Sequence, residues 1–156
     1  MGPILETALQ RSPIVLIKMD KLQTAIERYR LMLNAIETKA TQSLRLTLTR
    51  QLAEVLLRGV SGTIYSPPSQ SGRIHAGSAK KLWMPRRYVT RNQFIPKNEN
   101  EETLLLLLIA EALANRDAVL SQSPEFRLAR MHALGNATAV YDLLTLAIVR
   151  WGQLLF

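Results

Sequence analysis

The sequence predicts an all-α protein, an α-solenoid of antiparallel helical hairpins with one long basic loop. Hydrophobic residues make up 47% of the 156 residues and aromatic residues only 6%. Leucine is the commonest residue, whereas sheets draw on β-branched and aromatic residues. Apolar residues recur at helical spacing in four segments that are joined by polar stretches. We expect one unit over residues 1–156, because the chain is too short for two comfortable domains.

The clearest early helix is predicted over about 21–37. Asp20 and Gln23 have the residue types and spacing of a capping box, which marks a helix start. The apolar residues that follow recur at helical spacing; they are Leu22, Ala25, Ile26, Tyr29, Leu33 and Ile36. We therefore expect this stripe to face the core.

The segment before that helix permits two predictions. Ser12 followed by Pro13 is typical of an N-cap and the first helical position, where the missing N–H of proline has no partner to lose. Residues 3–11 and 13–19 are therefore two short helices, or one helix broken at Pro13. We expect no secretion signal at this end, since no basic residues precede the first apolar stretch.

A second amphipathic helix is predicted from Lys39 to Arg58, with Gly59 as its stop. Its apolar stripe consists of Leu44, Leu48, Leu52, Val55 and Leu56, and its polar stripe of Thr47, Arg50, Gln51, Glu54 and Arg58. Residues 61–97 then form a flexible basic insert, because they begin with a stretch rich in Gly, Ser and Pro that has almost no periodic apolar pattern.

A third helix is predicted from Asn98, an N-cap paired with Glu101, to about Ser121. Leu104 to Ile109 are six consecutive large aliphatic residues, too few to span a membrane and bounded by glutamates. They make the first turns apolar on all sides, so we expect this helix to be wedged between neighbouring hairpins.

The last helix is predicted over about 125–152, with Ser123 as N-cap and Pro124 at the first helical position. Its broad apolar face comprises Leu128, Met131, Leu134, Thr138, Tyr141, Leu144 and Ile148. The spacing around Tyr141 matches the first helix of a tetratricopeptide unit, and that around Tyr29 matches the second helix of another. We therefore expect a tetratricopeptide-like fragment of a longer array.

The net charge of +8 is concentrated in the insert, which holds seven of the 20 basic residues and none of the 12 acidic ones. The seven are Arg73, Lys80, Lys81, Arg86, Arg87, Arg91 and Lys97. Cations interleaved with aromatic residues can bind nucleic acid or an anionic lipid surface. The alternative function is therefore a small basic helical domain acting through residues 73–97. A solvated insert, with its aromatic residues anchored on the helices, is the more ordinary interpretation, and nucleic acid is the least favoured partner.

No catalytic chemistry is expected. Cysteine is absent, which excludes disulfides, a thiolate zinc site and a thiol nucleophile. His75 and His132 lie in different contexts without a carboxylate pair at ligand spacing, and no phosphate-binding loop or zinc-protease motif is present. The sequence therefore predicts no enzyme, no cofactor, no metal site and no small-molecule substrate.

Three blocks together resemble the middle of the tetratricopeptide repeat protein 7 family, whose fungal counterpart is a cargo-transport protein. They are ATQSLRLTLTRQLAEVLLRGV (40–60), PKNENEETLLLLLIAEALANRDAVLS (96–121) and TAVYDLLTLAIVRWGQ (138–153). The resemblance covers most of 3–153, and the loop 61–95 does not match closely.

The resemblance to this family implies an α-solenoid and a non-enzymatic scaffold. Its implied partners are phosphatidylinositol 4-kinase III alpha, a hyccin-type protein and a palmitoylated membrane anchor. The implied location is cytoplasmic, peripheral at the plasma membrane through these partners. The resemblance marks no partner-contact residues in this chain.

Overall fold

The computed structural model describes residues 2–35, 38, 41–59, 65–68, 94–120 and 123–153. These residues form α1 (Pro3–Lys18), α2 (Leu22–Ala35), α3 (Gln42–Gly59), α4 (Glu99–Leu120) and α5 (Arg127–Gln153), with a 3-10 turn, Pro124–Phe126, directly before α5. Each helix packs against the next one, and α3 also contacts α1 and α5. The described part of the chain contains no strand. The all-α class and the solenoid arrangement are confirmed.

Pro13 lies inside a continuous α1, so both predictions for the first segment are wrong. The helix begins at Pro3, and Pro13 is buried in its interior. Proline at such a position removes one helical hydrogen bond, and burial of its apolar ring offsets part of that cost. The Ser12 hydroxyl does not begin a helix; it accepts a hydrogen bond from Arg28 on α2 (Nη1 to Oγ, 3.5 Å).

The turn between α1 and α2 does not contain the predicted capping box. Asp20 has φ of 59°, in the left-handed region, which a short polar residue adopts more readily than most. Gln23 Nε2 lies 3.5 Å from Glu27 Oε1, so this side chain points along α2 and not back to the turn. The helix itself is confirmed over Leu22–Ala35; residues 36 and 37, the end of the prediction, lie outside the described residues.

The central helix, α3, is buried around most of its circumference. The predicted leucine stripe is buried, and so are Leu46, Thr49, Ala53 and Leu57 on other sides. The reason is that α3 packs against α4 and also against α1 and α2. The buried surface of α3 is therefore wider than the single predicted apolar stripe. Gly59 is the last helical residue of α3, one position beyond the predicted end at Arg58, and its φ is not positive, so Gly59 itself is not a left-handed cap.

The start of α4 forms the predicted cap. Asn98 Oδ1 accepts a hydrogen bond from the N–H of Glu101 (2.9 Å), and Glu101 Oε2 accepts one from the N–H of Lys97 (2.7 Å). Two N–H groups at the helix entry are thereby satisfied by side chains.

The aliphatic run of α4 is covered on two sides and open on another. Leu107 is 0% exposed and Leu106 is buried beside it, whereas Leu108 is 51% exposed. The packing partners of α4 are α3 and α5. The expected burial on every side is therefore wrong for the side that carries Leu108.

Burial of Tyr29 predicts a loss of stability at alkaline pH. Its hydroxyl donates to Gln51 Oε1 (3.2 Å), and burial, followed by the charge of Glu54, raises its pKa from 10.0 to about 12. The folded state therefore keeps this proton more firmly than the unfolded state does. We expect the free energy of unfolding to fall as the pH rises from about 10 to about 12.

Urea denaturation at a series of pH values between 9 and 12 (about one-half unit apart) measures this dependence. Tyr29→Phe has no proton to lose, so its stability should fall less steeply over the same interval. Equal slopes for both proteins would contradict the assignment.

Candidate interaction surface

Of the predicted anionic-surface residues, only Lys97 lies in the described part of the chain. Its side chain is exposed directly before α4. The other six, Arg73, Lys80, Lys81, Arg86, Arg87 and Arg91, lie outside the described residues. Binding of an anionic surface by this set therefore stays a prediction, as does the basic insert over 61–97.

The buried side of α5 includes small residues where it meets α4. Ala133, Ala137, Val140 and Leu143 are buried, and Ala137 and Val140 share a core cluster with Ala110 and Ala114 of α4. Small side chains allow the two helix backbones to approach closely. The sequence does contain this signal, since alanines recur at helical spacing along α5.

The predicted apolar face of α5 is for the most part exposed. Within that set Leu144 packs partly into the core, but Leu128 is 82% exposed, and the other large residues are also exposed, namely Met131, Leu134, Tyr141 and Ile148. The predicted face holds the largest side chains of α5, whereas the alanines on another side of the helix pack against α4.

One side of α5 carries two exposed apolar patches, which we together call the α5 outer face. The patches are Leu128, Met131 and Leu134 toward the N-terminal end, and Leu146 and Val149 toward the C-terminal end, with exposed polar residues such as Asp142 between them. At 100° of helix rotation per residue they fall within an arc of about 120°. An exposed apolar patch of this kind is typical of a protein contact.

The segment Pro124–Gly152 is long and apolar enough to cross a membrane, with a mean hydropathy of 1.2 in its most apolar window. Length and composition alone support that possibility. In the fold the same helix packs along α4 through its alanine side, so its hydropathy is explained by one buried side and one exposed apolar side.

An open depression of about 280 Å³ lies between α4 and the C-terminal end of α5, and its lining includes Leu104, Ile148 and Trp151. Nearby, the Arg150 guanidinium donates a hydrogen bond to the carbonyl of Leu57 in the last turn of α3. A cation at a helix C-terminus satisfies an otherwise free carbonyl.

His132 lies in a different depression, of about 370 Å³, which Asp117 also lines. Its Nδ1 is 3.3 Å from Asn136 Nδ2, and Asn136 Oδ1 accepts from Arg50 of α3 (3.5 Å). Within the described ranges, no group of three or more potential ligands is placed to hold a metal ion.

A buried ion pair joins α2 to α4. Arg30 Nε and Nη2 donate to the two carboxylate oxygens of Glu102 at 2.9 and 2.6 Å, and the side chains are 14% and 6% exposed. Burial is the largest single influence on the pKa of Arg30 and lowers it, but the bond to Glu102 and the negative charges around the guanidinium together raise this pKa above its ordinary value. Such a bidentate pair is geometrically specific.

The same pair holds residues 65–68, which we call the strap. The Tyr65 hydroxyl donates to Glu102 Oε2 (2.7 Å), and Arg30 Nη2 also donates to the carbonyl of Ser66 (3.0 Å). The Arg30 Cζ atom lies 5.6 Å from the centroid of the Tyr65 ring, within cation–π range. Burial, and then the bond to Glu102, raise the pKa of Tyr65. Sequence reasoning missed this cluster, because residues far apart in the chain meet here without a local pattern.

The comparison with known families covers the whole chain. The family model described as Tetratricopeptide repeat protein 7 N-terminal matches residues 1–156. The chain belongs to this family. Tetratricopeptide repeat protein 7B of Mus musculus is 46% identical over 98% of the chain, and the Homo sapiens 7B protein is 45% identical over 98%. Tetratricopeptide repeat protein 7A of Homo sapiens is 39% identical over 96%.

The chain spans about a fifth of the length of these tetratricopeptide repeat protein 7 relatives, 20% for the two 7B proteins and 18% for 7A. The three sequence blocks resemble the middle of the family protein, and the matching family model is that of its N-terminal part. Tetratricopeptide units are helical hairpins that stack into extended binding surfaces. Family membership and the helical packing therefore both indicate a helical-repeat protein that binds other proteins.

Proposed function

We propose that the chain is part of a non-enzymatic scaffold that helps to assemble a phosphatidylinositol 4-kinase complex and place it at the plasma membrane. The observation that carries the scaffold role is the α5 outer face, because it leaves the last described helix without a partner on one side. In a helical-repeat array each hairpin covers the exposed side of the one before it. The relatives contain far more chain than the residues matched here, so a further hairpin of the same protein is the proposed cover.

The opposite end of the stack supports the same proposal. Ile4 and Val15 of α1, and Met19 directly after it, are exposed apolar side chains. A helix stack with apolar surface at both ends is what an internal part of a longer array presents.

The proposed mechanism is passive. Stacked hairpins form a rigid surface on which phosphatidylinositol 4-kinase III alpha, a hyccin-type protein and a palmitoylated anchor are held at high effective concentration. In this proposal the protein is cytoplasmic and reaches the plasma membrane through the anchor. The identities of the three partners come from the resemblance of the sequence blocks to the family.

Capture of purified partners tests the proposal. The immobilised 156-residue chain should retain at least one of the kinase, the hyccin-type protein and the anchor, each offered separately. Failure with all three, by a folded monomeric chain, would contradict the scaffold role of this part.

A matched pair of variants separates partner binding from unspecific adhesion. Leu134→Glu places a charge on the α5 outer face, whereas Leu31→Glu places one on α2, where Leu31 is 70% exposed. Leu134→Glu should reduce self-association in sedimentation experiments, because a charge in an apolar contact is costly, and Leu31→Glu should not. Capture of the true partner should survive in both variants; its loss in Leu134→Glu alone would assign the outer face to the partner and not to a further hairpin.

A further inference from the structure

The strap presents a serine followed by proline outside any helix or strand. Ser66 and Pro67 are exposed. Kinases that select proline after serine bind their substrate as an extended segment with the serine hydroxyl accessible. The proline that follows Ser66 disfavours the α conformation at this serine, and its exposure leaves it open to a kinase.

The chain contains two other Ser-Pro pairs, and the fold places them differently. Ser12 lies within α1, its neighbour Pro13 is buried, and its hydroxyl is bonded by Arg28. Ser123 is exposed but stands at the N-cap of the 3-10 turn that leads into α5, so its following residues are helical. Among the three pairs, Ser66 is the one that is exposed and followed by residues outside any helix.

A phosphate on Ser66 would be added beside a balanced ion pair. The Ser66 carbonyl is 3.0 Å from Arg30 Nη2, which is itself 2.6 Å from Glu102 Oε2. Both carboxylate oxygens of Glu102 already accept hydrogen bonds from Arg30. Phosphoserine carries a charge of about −1.5 to −2 at neutral pH, so the added charge competes with Glu102 for the same guanidinium and repels its carboxylate.

We propose that Ser66 is a phosphorylation site for a proline-directed serine kinase, and that the phosphate releases the strap from α2 and α4. The γ-phosphoryl group of ATP is transferred to Ser66 Oγ; the bond to the β-phosphate oxygen breaks, ADP leaves, and the hydroxyl proton is released. The new charge weakens the Tyr65–Glu102 and Arg30–Ser66 bonds, which are hydrogen bonds between the strap and the helices. This inference does not depend on the scaffold function.

Site mapping tests the first half of the proposal. The full chain is incubated with a purified cyclin-dependent kinase and ATP, and phosphopeptides are located by mass spectrometry. Phosphate is expected on Ser66, with loss of that phosphate in Ser66→Ala and Pro67→Ala and none on Ser12. Modification elsewhere with Ser66 untouched would overturn the assignment.

Nuclear magnetic resonance relaxation of the Tyr65 and Ser66 amides tests the release, since the two prolines of the strap carry no N–H. On phosphorylation the order parameters of these amides should fall from about 0.85, the value of rigid backbone, to below about 0.6. Tyr65→Phe keeps the ring but lacks the bond to Glu102, so phosphorylation should lower its order parameters less. Order parameters that are unchanged or higher in the phosphorylated chain would overturn the release.

Discussion

Replacing Glu102 with alanine should lower the free energy of unfolding by about 3–5 kcal/mol. The substitution leaves the Arg30 guanidinium, 14% exposed, without its carboxylate, and arginine cannot escape by losing its proton. It also removes the acceptor of the Tyr65 hydroxyl. Urea denaturation followed by circular dichroism measures the difference.

The double variant Arg30→Met and Glu102→Leu is the control for this prediction. Removing both charges exchanges the pair for apolar side chains, so the double variant should be more stable than Glu102→Ala. A Glu102→Ala protein within about 1 kcal/mol of the unchanged chain would show that Arg30 is solvated, as at a surface pair.

Leu107→Ala should cost about 2–5 kcal/mol, whereas Leu108→Ala should stay within about 0.5 kcal/mol. Leu107 is 0% exposed in the core between α3 and α4, and its neighbour is 51% exposed. The two substitutions remove the same atoms from the same helix, so helix propensity cancels in the comparison. Thermal or urea unfolding of both variants gives the two values.

Equal losses for the two variants would mean that the open side of α4 is covered in solution. In that case self-association through Leu108 is the first explanation to examine, by repeating the denaturation at several protein concentrations.

The positions of the helices could be predicted from the sequence more readily than the sides on which each helix is buried. The cap of α4 follows from Asn98 and Glu101 because capping is local chemistry. The leucine stripe of α3 was predictable for the same reason, but its burial on further sides was not, since that depends on which helices pack around it. Pro13 illustrates the limit: its local preference for a helix start is overridden by burial inside α1.

The candidate surface was predictable in composition but not in orientation. Large apolar side chains on α5 suggest a position in the core. In the structure, however, alanines pack beside α4, and Leu128 and Met131 are exposed. The Arg30–Glu102 pair has no sequence signal, because a charged pair brought together by tertiary packing has no period. Family membership was readable from the blocks, since their combined residues and order are more specific than repeat spacing.

The Arg30–Glu102 pair has a mechanical consequence. Solenoids bend by changing the angle between neighbouring hairpins, each of which touches only the next. Here α2 and α4 lie on α3 and are also fastened to each other through two short bonds. Any motion that separates α2 from α4 must break these bonds, so we expect this part of the stack to resist bending more than a contact between neighbouring helices alone would.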